Sequence, residues 1–277
     1  MVKKQMNHSW IVPDWPAPDN VRALQTTRHG GVSAGVYASM NLGDHVGDDP
    51  ALVAQNRALL RARLPADPVW LKQVHGNAVA DADHAIGVPE ADASVAQKPG
   101  TVCAVLTADC LPVLLCDHAG TVVGAAHAGW RGLAGGAVEA AVRAMGVEPA
   151  SLMAWLGPAI GPQAFEVGEE VRQAFMAHDP EAAKAFVPCA GRALARHVGL
   201  KADLRGCSAG ETEPGVQKWL ADIYLLARQR LALMGVERVY GGGLCTYGDS
   251  ERFFSYRRDG ATGRMASLVW LDSRYPV

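Results

Sequence analysis

Three residues that commonly bind metal ions follow short apolar stretches of this sequence. His75 ends "LKQVH", Cys110 lies between two apolar runs in "AVLTADCLPVLL", and His127 ends "VVGAAH". Loops gather at the ends of strands, and binding sites form there. Two histidines and a cysteine match a catalytic zinc site, in which three protein ligands leave a fourth position open. The three residues are therefore candidates for one metal site.

The spacing of these residues leaves other interpretations open. The intervals of 35 and 17 residues are too long for a zinc finger, so only the tertiary structure can bring the three together. Taken singly, each residue is more often a core or hydrogen-bonded residue than a ligand. Without a metal, Cys110 is a candidate nucleophile that His75 or His127 would activate. Its neighbour Asp109 is a candidate for orienting a ligand or transferring a proton, or else it caps a turn.

Arginines and glycines form a second group of candidates. Arg28 lies in "TTRHGGVSAG", and Arg257, Arg258 and Arg264 lie in "FFSYRRDGATGRM". The planar guanidinium fork suits carboxylate and phosphate groups. The glycine-rich stretch "AGWRGLAGG" after His127 brings backbone amides that can approach an anion. It is neither a Walker A loop nor a dinucleotide-binding loop, because it lacks the residues that define those motifs.

The elements around these residues predict an α/β fold. Apolar runs bounded by Gly, Pro or Asp alternate with segments of helical spacing. We predict one domain over residues 1–277, with the weakly periodic segment 188–215 as a surface insertion. The predicted strands are 21–27, 69–75, 101–107, 112–118, 121–127, 152–158, 236–242 and 266–272, and the predicted helices are 48–64, 133–146, 168–178 and 218–235.

Composition excludes several classes of protein. The formal net charge is −2 and no basic stripe is present, so we expect no nucleic-acid partner. The hydrophobic fraction is 49%, but no apolar run approaches the roughly 20 residues that span a membrane. The two N-terminal lysines precede no apolar segment, so we expect a cytoplasmic protein without a signal peptide. The six cysteines are then not expected to form a disulfide scaffold.

Motifs along nearly the whole chain resemble one known family. They include "TRHGGVSAGVYASMNLG", "LKQVHG", "ADASVA", "TADCLPVLL", "AAHAGWRGLAGG", "LGPAIGPQAFEVG" and "CTYGDSERFFSYRRDGATGRMAS". These stretches resemble the laccase-domain family, also called multicopper polyphenol oxidoreductase or YfiH-like. The resemblance implies a single α/β domain with layered mixed β-sheets flanked by helices, an α/β/β/α sandwich. It also implies a metal site, usually described as zinc, at His75, Cys110 and His127.

The resemblance implies several activities. The first is a zinc-dependent purine nucleoside phosphorylase that also deaminates adenosine and phosphorolyses methylthioadenosine. The alternatives are a peptidoglycan-precursor editing hydrolase, which removes L-Ser from a UDP-MurNAc intermediate, and a copper-dependent polyphenol oxidase. A multicopper oxidase needs many histidine ligands, largely in HxH pairs, and none of the nine histidines here forms such a pair. Copper can nevertheless occupy a His/Cys/His site.

We expect the first activity, on purine nucleosides and phosphate, from a monomer or weak homo-oligomer. The catalytic candidates are Cys110, Asp109 and Arg257. For substrate binding we expect phosphate on Arg28 and Arg257, a purine base against Trp130, and polar substrate groups on Asn41 and Gln73.

Overall fold

The computed structural model describes residues 10–189, 217–272 and 274, and its strands form three sheets. In chain order these strands are β1 (Val21–Gln25), β2 (Pro68–Val69), β3 (Val79–Asp81), β4 (Ala93–Ala96), β5 (Val102–Thr107), β6 (Leu111–Asp117), β7 (Val123–Ala128), β8 (Leu152–Leu156), β9 (Glu166–Gly168), β10 (Phe186–Pro188), β11 (Lys218–Ala221), β12 (Arg238–Gly241) and β13 (Met265–Leu271). The six-stranded sheet has the order β12-β8-β6-β7-β4-β3, the four-stranded sheet β1-β13-β5-β2, and the small sheet β10-β11-β9.

The helices flank the sheets and are short. Asp49 caps the helix Pro50–Arg61 by accepting a hydrogen bond from the amide of Ala51, and Asp222 caps the helix Ile223–Leu233 by accepting from the amides of Tyr224 and Leu225. Among the described residues, no helix combines the length and apolar character needed to cross a membrane. The α-helices are α1 (Pro50–Arg61), α2 (Trp130–Ala134), α3 (Ala137–Ala144), α4 (Glu169–Met176), α5 (Ile223–Leu233) and α6 (Tyr256–Asp259).

Alternating side chains of the strands build the layers. On β5, Cys103 and Val105 pack in the core between the two larger sheets, whereas Val102, Ala104 and Leu106 pack in the cluster that includes α1. The other face of the six-stranded sheet packs against α3, α4 and α5. The order of layers is thus helix, sheet, sheet, helix, which confirms the predicted α/β sandwich.

Three predicted elements differ from the structure. The strand predicted at 69–75 is only β2, because the amides of Val74 and His75 bond the carboxylate of Asp92 instead of a neighbouring strand. The helix predicted at 133–146 is two helices, separated at Gly136, whose φ of 89° is left-handed. The helix predicted at 218–235 starts as strand β11, and α5 begins only after Asp222.

The predicted insertion at 188–215 falls largely outside the described residues. Pro188 ends β10 and Cys189 follows it, whereas residues 190–216 lie outside the described ranges. The insertion therefore stays a prediction. The short strands β3, β4, β9 and β10 were not expected from the sequence, since they have only three or four residues each.

Candidate metal centre and cavity

The three predicted metal ligands meet in the structure. Cys110 lies in the turn between β5 and β6, and pairing of β6 with β7 sets Pro112 opposite His127. His75 comes from the irregular segment after β2, where its φ of 61° is unusual for a residue with a side chain. The candidate ligand atoms of His75, Cys110 and His127 all lie within 4.8 Å of one another. The fold therefore brings together residues that are far apart in the sequence.

The distances between these side chains fit a zinc ion. Sγ of Cys110 lies 3.8 Å from Nε2 of His75. Ordinary zinc–sulfur and zinc–nitrogen bond lengths at a tetrahedral angle place such a pair about 3.6 Å apart. The rings of His75 and His127 meet edge to face, with centroids 4.8 Å apart. Two imidazoles and a thiolate suit zinc, and their softness also admits copper.

Asp92 holds the two histidines in place. Its buried carboxylate accepts a hydrogen bond from Nδ1 of His127 at 2.8 Å and from the amides of Val74, His75 and Gly76 at 3.1, 2.9 and 2.6 Å. Because a carboxylate only accepts, Nδ1 of His127 carries the hydrogen and Nε2 is left to bind a metal. Sequence reasoning missed Asp92, although an acidic residue directly before the buried strand β4 is a usable signal.

The charges of the site stabilise one another. Burial alone would raise the pKa of Asp92, but hydrogen bonds from His127 and from the amide of Gly76 hold that pKa below its ordinary value. Burial also opposes ionisation of Cys110, yet His127 and His75 outweigh it and lower the pKa of the thiol to about 6. Burial lowers the pKa of His127, but Cys110 and Asp92 raise it to about 9. The thiol is thereby prepared to act as a thiolate, the form that binds metals.

Gly129 leaves space for the side chains of His75 and Cys110. A Cβ atom there would lie 2.8 Å from Cδ2 of His75 and 2.9 Å from Sγ of Cys110, closer than real Cβ contacts. The backbone at Gly129 has φ −63° and ψ 159°, which any residue can adopt. Glycine is therefore required here for close approach, and not for its backbone freedom.

We expect Gly129→Ala to lower the affinity for zinc by about tenfold or more, because the methyl group pushes His75 and Cys110 apart. Competition with a chelating dye measures this affinity. Gly248→Ala is the matched control, since its Cβ would meet its nearest neighbour, Sγ of Cys245, at an ordinary 3.5 Å. Equal zinc affinity of Gly129→Ala and the unsubstituted protein would contradict the close approach.

The three candidate ligands, His75, Cys110 and His127, lie in the wall of a cavity of about 910 Å³. This volume is at the upper end of the usual range for small-molecule sites. Its other walls combine aromatic and cationic side chains, among them Trp70, Phe165, Trp130, Tyr256, Arg131, Arg257 and Arg264.

Four predicted site residues line this cavity. Trp130 is the first residue of α2, and the guanidinium of Arg131 lies 4.5 Å from its ring centroid. Gln73 lines the wall, but its amide group already bonds the backbone of Leu106 in both directions. Asp109 and Arg257 also line it.

Asp109 holds Arg257 in place at the cavity wall. Its two carboxylate oxygens accept hydrogen bonds from the hydroxyl of Thr246 and from the amide of Arg257, each at 2.6 Å. Nη1 of Arg257 donates to the carbonyl of Glu166 at 2.9 Å. These bonds favour a positioning role for Asp109 over the alternative of proton transfer.

Two predicted substrate residues are not part of the cavity wall. Arg28 donates to the carbonyls of Ala38 and Ser250 and lies over the ring of Phe254, so its guanidinium supports loops. Asn41 is fully buried, and its amide bonds Gly43, Asp48 and the amide of Arg264. The structure therefore does not bring these two residues into the cavity wall with the others, and substrate contacts for them stay a prediction.

The cavity also contains two arginines that were not among the substrate-binding residues expected from the sequence. Arg131 lines the wall beside Trp130. Arg264 lines it as well. Burial lowers the pKa of Arg264, and the nearby Cys110 and Asp109 oppose that shift. Arg264 thus lies within electrostatic reach of Cys110.

Comparison with known proteins places the chain in a family. The model of the family described as multi-copper polyphenol oxidoreductase laccase matches residues 22–272. This chain belongs to that family. The resemblance drawn from the sequence motifs is thereby confirmed.

The similar proteins cover almost the whole chain. Purine nucleoside phosphorylase YfiH of Escherichia coli (strain K12) is 53% identical over 267 residues, which are 94% of this chain and 98% of that protein. A purine nucleoside phosphorylase of Pseudomonas aeruginosa is 53% identical over 265 residues, covering 96% and 99%. A crystal structure of a Neisseria meningitidis protein, 50% identical, covers 95% of this chain and 99% of its own, with a TM-score of 0.83. The two curated relatives carry the name of the enzyme class that the resemblance predicted.

Proposed function

We propose that this protein is a metal-dependent purine nucleoside phosphorylase that uses zinc and also deaminates adenosine and phosphorolyses methylthioadenosine. One observation carries the proposal: the cluster of His75, Cys110 and His127 opens into a cavity with aromatic and guanidinium walls. A nucleoside needs an apolar surface for its base, and phosphate needs cationic donors. The names of the relatives support the same activity.

The residues that line the cavity match the chemical groups that take part in phosphorolysis. A phosphate oxygen bonds to C1′ of the ribose while the bond from C1′ to the purine breaks, and the base departs with the bonding electrons and takes up a proton. Trp130 offers its ring to the purine. Arg257, held by Asp109, contributes positive charge beside the phosphate. When bound at the three ligands, zinc supplies a Lewis acid for developing negative charge and an activated water for deamination.

A second candidate function rests on the same residues. Cys110, His127 and Asp92 are arranged as in a cysteine hydrolase, with a thiol beside an imidazole that a carboxylate orients. The presence of His75 on the thiol favours metal binding, since a hydrolase of this kind needs only one histidine. Metal analysis of protein purified without added metal separates the two.

Zinc is the proposed resident metal, with copper as the alternative. In the described part of the chain, His75, Cys110 and His127 are the one group of three His, Cys, Asp or Glu residues whose ligand atoms cluster this closely, which supports a single metal over several coppers. We also propose one domain, a cytoplasmic location, and a monomer or weak homo-oligomer.

The deciding experiment is product analysis with inosine, with and without phosphate. We expect hypoxanthine and ribose 1-phosphate only when phosphate is present, because phosphate is the attacking group. Equal release of the base without phosphate would mean hydrolysis. If no nucleoside reacts in either condition, the serine-removing editing reaction on the muramyl precursor becomes the first candidate.

A further inference from the structure

Arg264 is fixed on three sides by the protein. Its amide donates to Oδ1 of Asn41 at 2.9 Å, and its carbonyl accepts from the amide of Leu42. Gly43 makes room for the side-chain stem, because a Cβ there would lie 2.8 Å from Cγ of Arg264. Nη1 donates to the carbonyls of Thr262 and Gly263 at 3.0 and 3.1 Å. The side chain is therefore held in one position without any ligand.

These contacts use one side of the guanidinium and leave the other available. Nη1 donates to two backbone carbonyls, whereas Nε and Nη2 bond no described residue. The Nε and Nη2 edge is one of the two edges with which arginine grips an oxyanion by two parallel hydrogen bonds. Arg264 lines the cavity, so its side chain lies within reach of a ligand there.

The other cations of the cavity are less suited to a first anion contact. Arg57 pairs with Asp44 at 3.1 Å and donates to the carbonyl of Leu42, and Lys72 pairs with Glu90 at 2.9 Å. Both Arg131 and Arg257 are exposed, whereas Arg264 is partly buried. A cation that is shielded from water attracts an anion more strongly than an exposed one.

The carboxylates near Arg264 do not neutralise its free edge. Asp109 uses its two oxygens for Thr246 and the amide of Arg257. Asp48 accepts from Ser33 and Asn41, so it belongs to the support beneath Arg264. The wall near Cys110 thus offers a positive, preorganised guanidinium edge to which no described residue presents an acceptor.

We propose that Arg264 is the main phosphate-binding residue of this site, and that Asn41 and Gly43 position it. The inference rests on the proposed function in taking inorganic phosphate as the oxyanion. It replaces Arg28, which supports loops away from the cavity, and it gives the buried Asn41 a role behind the binding residue. Arg257 contributes charge from a more exposed position on the same wall.

The test is the dissociation constant of inorganic phosphate, measured by isothermal titration calorimetry on the zinc-loaded protein. We expect Arg264→Gln to weaken phosphate binding about tenfold or more, because a charge-assisted pair of hydrogen bonds is lost. The phosphate affinity of Arg264→Lys should lie between that of the unsubstituted protein and that of Arg264→Gln, since an ammonium keeps the charge without the fork. The KM for phosphate should rise in parallel, whereas the KM for inosine should stay within about twofold.

Two further variants keep the test decisive. Arg143→Gln, on an exposed position of α3 outside the cavity wall, should bind phosphate as the unsubstituted protein does. Gly43→Ala keeps the guanidinium but displaces its stem, so it should also weaken phosphate binding. If Arg264→Gln fails to fold, Arg264→Lys and Gly43→Ala decide the matter.

Three outcomes separate this inference from the proposed function. Unchanged phosphate affinity in the folded Arg264 variants would overturn the inference and leave the phosphorylase proposal standing. So would phosphate binding that depends on Arg257 alone. If phosphate binding depends on Arg264 but no nucleoside is cleaved, the anion site stands and the phosphorylase proposal fails.

Discussion

Replacing Cys110 with alanine is expected to remove the metal and nearly all activity. The substitution deletes the thiolate, so two imidazoles remain from a site that needs three protein ligands. Loss of a Lewis acid worth several kcal/mol lowers the rate of inosine cleavage by about a thousandfold or more. Elemental analysis of protein made in metal-balanced medium should give one zinc per chain before the substitution and substantially less after it.

Cys103 supplies the control for this result. It is a fully buried thiol on β5, where burial raises its pKa to about 12, so it stays neutral and serves only as packing. Cys103→Ala should retain metal and activity, with some loss of stability from the missing sulfur. Full stoichiometric zinc in Cys110→Ala would show that the ligand assignment is wrong. If the unsubstituted protein contains no zinc and is nevertheless fully active, the result would instead favour the cysteine hydrolase.

Replacing Asp92 with asparagine should weaken zinc binding by about 10- to 100-fold while the ligands themselves stay in place. The asparagine amide retains one acceptor oxygen, but its NH₂ group faces donors that the carboxylate satisfied. These donors are Nδ1 of His127 and the amides of Val74, His75 and Gly76. His127 then loses the interaction that fixes its tautomer and ring orientation. Chelator competition measures the change.

The same substitution should also lower the free energy of unfolding. Each buried donor left without an acceptor costs about 1–3 kcal/mol, so Asp92→Asn should lower the midpoint of thermal unfolding by several degrees. Asp81→Asn is the matched control, because Asp81 pairs with His84 at the same 2.8 Å but both side chains are exposed. An exposed pair contributes little, so this variant should change neither zinc affinity nor stability appreciably. Equal effects of the two substitutions would contradict the role of Asp92.

Residue types and periodicity predicted the main strands and the candidate metal ligands, whereas the order of the layers was implied only by the resemblance of the motifs to a known family. Buried strands with apolar runs, such as β5, β6 and β7, are recognisable because each side chain must face a sheet core. His75, Cys110 and His127 are conspicuous because they interrupt apolar sequence at strand ends. The same local reasoning fails for 69–75, where a buried carboxylate 17 residues from His75 takes the amides that a strand would have paired.

The sequence by itself determined which residue types were present at the ends of strands, and hence the kind of metal site this chain can build. Only the tertiary structure decided which of several chemically equivalent side chains lines the cavity. Arg28 and Arg264 both follow or precede a strand, yet one supports loops through Ala38 and Ser250 while the other lines the cavity. The difference lies in contacts between distant segments, such as that of Arg264 with Asn41 across 223 residues. Local spacing carries no information about such contacts, because packing of the whole chain sets them.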